Sequence, residues 1–349
     1  MFTSFCDAYT NTIYPWISDG LGFIMDKIPI NVGEILMYGA ALWLLAVLIR
    51  LLLFPFLCRR VAWRMRTGRV LRRFLTATMV VCLVYVISWI IPFHASYICF
   101  PETDGRGYNY LEVEALRNWV IEGLNEAANA CLRDEDGYLV VPDALEEDVV
   151  AAMQAMADEF PRLSGYYPRL KQAYNTEFMQ WMRIGGYTFP YTMELMGNGY
   201  DMIRLYYPTL YAHESSHHQG YYQEDEADFL AYMALSRSKN PYLRYSAFYQ
   251  MYYVVEPAFR SAAKTCFPSE EDYLAYLESL VAPDPVFSAD LNHDYEIFKT
   301  EYDKHVHPPK KLQTVSEKVA DKGWSMQEDI LKEKYYSGSL KLMLDYYYK

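Results

Sequence analysis

The sequence predicts a mostly α-helical chain with a small β component, in which two transmembrane helices precede one extracytoplasmic domain. Three observations predict it. Two long uncharged stretches lie within the first hundred residues. An arginine-rich segment without acids joins them. The remainder shows helix-like apolar spacing interrupted by Gly and Pro.

Residues 1–34 contain Asp7, Asp19, Asp26 and Glu34 and no basic start before an apolar stretch, so they are not a cleavable signal peptide. They read as an extracytoplasmic, interfacial segment, with Tyr14 and Trp16 at headgroup depth. Residues 35–57 form the first span: ILMYGAALWLLAVLI, continued past Arg50 by LLLFPFL. The run is long enough for about 30 Å of hydrocarbon. Arg50 lies toward one end, where its side chain can reach the headgroups. Residues 58–73 carry Arg59, Arg60, Arg64, Arg66, Arg69, Arg72 and Arg73 and no acid, which makes them a cytoplasmic loop. Residues 74–98 form the second span. Residues 99–349 then lie outside, as does the N-terminal segment. The expected location is the cell membrane, multi-pass.

Charge follows this division. The chain carries 32 Lys+Arg and 44 Asp+Glu, a net charge of -12. Residues 1–100 are basic and the rest is strongly acidic, which argues against a nucleic-acid partner. Six cysteines include no CxxC pair, so zinc-ribbon and thioredoxin-like motifs are excluded. Cys131 and Cys266 can pair in an oxidising compartment or remain two thiols.

In the outer part, residues 108–132 and 144–160 have helical spacing. Residues 183–197 (RIGGYTFPYTMELMG) read as an irregular or edge strand. From about residue 203 the chain turns helical again, and residues 242–264 form a long aromatic-rich helix.

The chemistry concentrates in one stretch, His213-Glu214-Ser215-Ser216-His217. On a helix, His213 and His217 share a face and can bind one Zn2+ ion, with Glu214 beside it as general base toward water. Gly220 can end the helix in a left-handed turn. A second helix then starts at about Gln223 and opens Glu224-Asp225-Glu226-Ala227-Asp228. Glu224 can complete a three-ligand zinc site with one position open, and Asp228 can orient a ligand imidazole. Glu226 replaces Glu224 if the second helix is rotated. A third-His ligand set fails at Gln223. The bland alternative is a solvated acidic helix start with two packed histidines. His218 reads as structural or substrate-facing, and His293, His305 and His307 as scattered surface. Tyr245 is a candidate donor for an oxyanion. Within residues 183–197, the segment 185–195 (GGYTFPYTMEL) can pair with an extended peptide.

These residues resemble a bacterial family of uncharacterised membrane proteins that pair N-terminal transmembrane helices with a zincin-like HExxH segment. The resemblance rests on NTIYPWIS, IPINVGEIL, GGYTFPYTMEL, HESSHHQGYYQEDEADFLAY and RYSAF, and more weakly on YSGSLKLMLDYY. His213, Glu214, His217, Gly220, Glu224, Glu226 and Ala227 match its motif. Ser215-Ser216 replace the usual apolar pair, and Asp228 stands where Asn is common. The resemblance implies an α+β zincin-like fold of the glutamate type and a further span upstream of residue 1. It supplies no substrate.

The expected function is zinc-dependent hydrolysis of a peptide or protein substrate outside the membrane. The rival from another class is a non-catalytic zinc-binding envelope sensor or scaffold. An intramembrane protease is disfavoured, because HHQGYYQEDEAD follows the motif and a bilayer core accepts such residues at high cost.

Overall fold

The structure is a computed structural model that describes residues 2–199, 205–305 and 337–349. His307 and the prolines after it lie outside the described residues, as does the side chain of His305.

Two short helices begin the chain, α1 (Phe2–Thr12) and α2 (Tyr14–Asp26). Pro15 sits in the first turn of α2, where its missing N–H is no loss. Phe2, Phe5, Ile13 and Phe23 are exposed, and Trp16 is 84% exposed. Tyr14 corrects the expectation of headgroup depth, because its ring is fully buried. Its hydroxyl finds a partner there, 2.8 Å from the Tyr222 hydroxyl, which is what lets a tyrosine be buried whole.

Next come α3 (Val32–Leu52), α4 (Phe54–Leu57) and α5 (Val61–Tyr85), the last extended by a π turn at Val86–Ile90 and a final turn α6 (Ile91–Phe93). Val32–Leu52 and Val61–Phe93 are long and apolar enough to cross a membrane, and almost none of either apolar stretch is buried against protein. Leu42, Leu52, Met79 and Leu83 stand on their surfaces. An exposed apolar surface of this extent suits lipid better than water. The arginine segment is not all loop. Helix begins at Val61, since Arg, Met and Leu are good helix formers and Gly68 is the one weak residue there.

The π turn has an identifiable cause. Pro92 has no N–H to return to the carbonyl four residues back, that of Ser88. That carbonyl accepts from the Tyr222 hydroxyl at 2.7 Å, and the Ile87 carbonyl accepts from Tyr9 at 2.8 Å.

The region after the second apolar helix is built on helices. They are α7 (Tyr110–Ala130), α8 (Leu145–Gln154), α9 (Thr176–Trp181), α10 (Tyr207–His218), α11 (Glu224–Ser236), α12 (Pro241–Lys264), α13 (Glu270–Glu278), α14 (Pro285–His305) and α15 (Ser337–Tyr347). Asn109 starts α7 with a reciprocal capping box to Glu112. Helix α8 stops earlier than its spacing suggests, in turns that lead to Pro161. The main core lies between α7, α10, α11 and α12, with Leu116, Leu124, Phe229, Leu230 and Phe259 fully buried. An ion pair of 2.6 Å between Arg117 and Glu256 crosses it from α7 to α12, with both side chains buried. All six cysteines are free thiols, so Cys131 and Cys266 are not bonded.

Strands β1 (Leu170–Gln172), β2 (Gly186–Phe189) and β3 (Glu194–Gly197) make one sheet of order β1-β3-β2. β1 is parallel and β2 antiparallel to β3. The sheet is joined to the N-terminal end of α3. The Glu194 carboxylate accepts from the Gly33 and Val32 amides at 2.6 and 3.1 Å, and from Lys171 Nζ at 2.7 Å. A carboxylate at a helix N-terminus satisfies free amides and the dipole together. Glu34 reciprocates by accepting from the Tyr174 and Asn175 amides at 2.7 and 3.0 Å. Gly33 must lack a side chain here, because a Cβ would stand 2.6 Å from the Phe189 ring.

Candidate metal centre

Helix α10 carries the histidines and ends where the sequence expects. Gly220 adopts φ +87°, and its amide donates to the His217 carbonyl at 2.9 Å. The Tyr221 amide reaches the Ser216 carbonyl at 3.0 Å. This turn folds the chain back on itself, so the Tyr221 carbonyl faces His217 Nδ1 at 2.8 Å. Helix α11 then opens at Glu224.

Each imidazole is held from behind. A carbonyl can only accept, so His217 Nδ1 carries the proton. His213 Nδ1 lies 2.8 Å from Asp228 Oδ1 and donates to that carboxylate. Both Nε2 atoms therefore present lone pairs whenever the rings are neutral. They face each other at 3.1 Å. Glu224 Oε2 lies 3.1 Å from His213 Nε2 and 3.6 Å from His217 Nε2.

With both rings neutral, three acceptors converge and repel one another; either a proton on a ring nitrogen, donated to Glu224, or a metal cation relieves that repulsion. A tetrahedral zinc ion with ligands at about 2.0–2.1 Å spaces its donors about 3.3–3.4 Å apart. The observed separations bracket that value, and the donor set of two imidazoles and a carboxylate suits zinc. The electrostatics agree. Desolvation lowers the His213 pKa, but Asp228 and Glu224 outweigh it and hold the group well above its ordinary value. Desolvation likewise lowers His217 and is outweighed, chiefly by Glu224. Burial raises Glu224, yet His217 and His213 hold its carboxyl well below the usual range. All three directions describe a place that attracts positive charge.

Glu214 is no part of this group but adjoins it. Its carboxylate lies 3.0 Å from the Thr188 hydroxyl on β2, which also lies 2.9 Å from the Glu214 carbonyl. Burial pushes the Glu214 carboxyl upward. Gly186 makes room for it, since a Cβ there would stand 2.6 Å from Glu214 Oε1. The cleft over the group has a volume of about 490 Å³, lined among others by Trp89, Tyr187, Thr188, Tyr206 and Tyr232. His213 and Glu224 keep 18% and 26% side-chain exposure, so the donors remain reachable. A larger depression elsewhere holds Arg162, Glu159 and Lys349, but these are paired within the protein.

The structure thus brings together His213, His217 and Glu224, with Asp228 behind and Glu214 alongside. It does not bring Glu226, whose Oε1 accepts from the Ile98 amide at 2.6 Å on the other side of α11. Nor does it bring Tyr245, which is fully buried in the core and donates to Asp290 Oδ2 at 2.8 Å. Its position on the core face of α12 precludes an oxyanion role. His218 is structural. It is buried against Gly22, and burial pushes its pKa down to about 4. Two contributors escaped the sequence reading although their signals were present. Tyr232 lies four residues after Asp228 on the same helix face. Thr188 lies within the strand already expected beside the motif.

Asp228→Ala is expected to weaken zinc binding about 10–100-fold, because His213 loses the acceptor that fixes its tautomer. Asp228→Asn keeps an acceptor oxygen and should lose less. Competition against a chelator of known affinity reads both, and unchanged affinity in the alanine variant would refute the orienting role.

The fold and the centre define a mainly helical protein with two apolar helices long enough to cross a membrane and a cluster of two histidines and a glutamate near the end where the second of them stops. The chain belongs to the family described as "Protein of unknown function (DUF3810)", whose model matches residues 9–322. No curated protein and no solved structure matches the chain.

Proposed function

We propose that this protein is a membrane-anchored, zinc-dependent peptidase of the glutamate-type zincin class, with its catalytic domain outside the cytoplasmic membrane. The observation that carries the reading is the convergence of His213 Nε2, His217 Nε2 and Glu224 Oε2 beside a carboxylate, Glu214, that is not one of the three. A zinc site that served only structure has no need of that fourth group. A zinc ion held there would supply Lewis acidity toward a carbonyl and lower the pKa of water.

The chain's own residues supply the rest. Glu214 takes a proton from the attacking water and passes it to the leaving nitrogen. Thr188 anchors Glu214, and Asp228 and the Tyr221 carbonyl keep the imidazoles in their useful tautomer. The outer edge of β2 has no partner strand among the described residues, so an extended peptide can add to it across the cleft. The arginine segment between the two spans supports placing the domain on the extracytoplasmic side.

The full chain purified in detergent is expected to carry one zinc ion and to cleave members of a mixed peptide library. Chelation should remove metal and cleavage together, and added zinc should restore both. Protein that binds no zinc sinks the centre as read. Zinc retained with no cleavage of any peptide moves the reading to the zinc-binding sensor or scaffold.

A further inference from the structure

The candidate centre is tied to the end of the second apolar helix by consecutive residues. Tyr222 donates to the Ser88 carbonyl at 2.7 Å, and Gln223 to the Phe93 carbonyl at 3.2 Å. Asp225 pairs with the Tyr97 hydroxyl, and Glu226 accepts from the Ile98 amide at 2.6 Å. Glu224, the third donor, sits in the middle of this run. The Tyr222 ring stacks near His217 on one side and meets Trp89 on the other, with centroids 6.0 and 4.5 Å away. Trp89 itself lines the cleft.

Length then fixes the level of the cleft. A span of about 30 Å needs about 20 helical residues. Counted from Arg73, the last of the arginines, that length ends near Phe93. Trp89 lies one turn inside this end, about 6 Å below it. The first apolar helix gives the same level, because its outer end at Gly33 packs against Phe189 of β2. Beyond β2, the Tyr191 ring stacks on Tyr85 of the second helix at 6.3 Å. The free edge of β2 therefore runs from Glu214, beside Gly186, toward Gly33 at the start of the first apolar helix, and the chain just after it reaches Tyr85, about 12 Å below Phe93 on the second. The exposed apolar residues of α1 and α2 flank the same end, with α1 packed on α6.

We infer that the substrates are membrane-anchored polypeptides, cut in the extended segment that leaves the bilayer, within about ten residues of its surface. This rests on the peptidase reading and holds for either orientation of the chain. A segment emerging beside the two helices meets the lower end of β2 first, adds to its edge, and passes Glu214 a few residues later. At about 3.3 Å per extended residue, ten residues cover about 33 Å, enough to cross a cleft at this level. A bond in a folded domain held away from the bilayer does not reach it.

The test co-reconstitutes the full chain in lipid vesicles with model substrates that carry a randomised segment on a transmembrane helix. In one set the segment follows the helix directly. In the other, a folded spacer of about 100 residues, roughly 30 Å across, stands between them. Both sets are tethered, so local concentration is matched. A third set is the same segment as free peptide. The expected result is cleavage of the adjacent set at least about tenfold faster than the spaced set, with the cuts clustered near the bilayer. Equal rates for adjacent and spaced sets overturn this inference and leave the peptidase reading standing. No cleavage of any set by zinc-loaded protein overturns the peptidase reading, and this inference with it.

Discussion

Glu214→Gln is expected to lower the turnover of any cleaved peptide by roughly three orders of magnitude, within the 10²–10⁴ that a positioned general base contributes. Zinc content should not change. Glu214 is not among the three converging donors, and an amide of the same shape fits the space beside Gly186. The amide oxygen can still accept from Thr188, so the contact of β2 with α10 survives. The loss should fall on kcat with little change in KM, because the proton transfer belongs to the transition state. Glu214→Asp should lose activity as well, since one methylene withdraws the carboxylate from the water it must reach. Two outcomes would count against the mechanism. Full activity in the glutamine variant removes Glu214 from the chemistry, and loss of zinc shows that it serves the metal instead.

The centre was legible because its geometry is local. His213 and His217 share one helix face, Glu224 and Asp228 share another, and a glycine able to adopt φ +87° lies between them. Such spacing constrains four side chains before any tertiary contact is known. The choice between Glu224 and Glu226 was not local. It depends on the rotation of α11, which is set by the Tyr97 and Ile98 contacts of the chain leaving the second apolar helix. Tyr245 failed for a related reason: an aromatic helix offers several tyrosines, and packing decides which face the core. Tyr14 and Trp89 were invisible as neighbours of the centre because they are far from it in sequence. Strand β1, three residues long, has too few positions for a period to register. The arginine segment read as a loop because charge marks sidedness but does not break a helix.

The join between the sheet and the first apolar helix should be the most sensitive structural point outside the centre. Glu194→Ala is expected to destabilise the protein by about 3–5 kcal/mol, the usual result of stripping one partner from a buried ion pair. Lys171 and Glu194 are 8% and 1% exposed, so water cannot replace the lost carboxylate readily. Lys171 keeps the Met25 and Ile30 carbonyls at 3.0 Å, which stabilise its charge in part. The Val32 and Gly33 amides at the start of α3 lose their acceptor altogether. A double variant, Lys171→Met with Glu194→Leu, separates these effects. It should recover the share due to the stranded lysine, while the penalty at the helix N-terminus remains. Unfolding followed in mixed micelles of SDS and a mild detergent measures both. A loss below about 1 kcal/mol in Glu194→Ala would mean that the carboxylate is dispensable to the join. The same substitution should reach the chemistry. Glu194 pairs with Phe189 across the sheet, and Thr188, its neighbour, anchors Glu214. The three converging donors sit on α10 and α11 and none comes from the sheet. The expected signature is retained zinc with reduced cleavage, a combination that loosening of the metal ligands themselves would not produce.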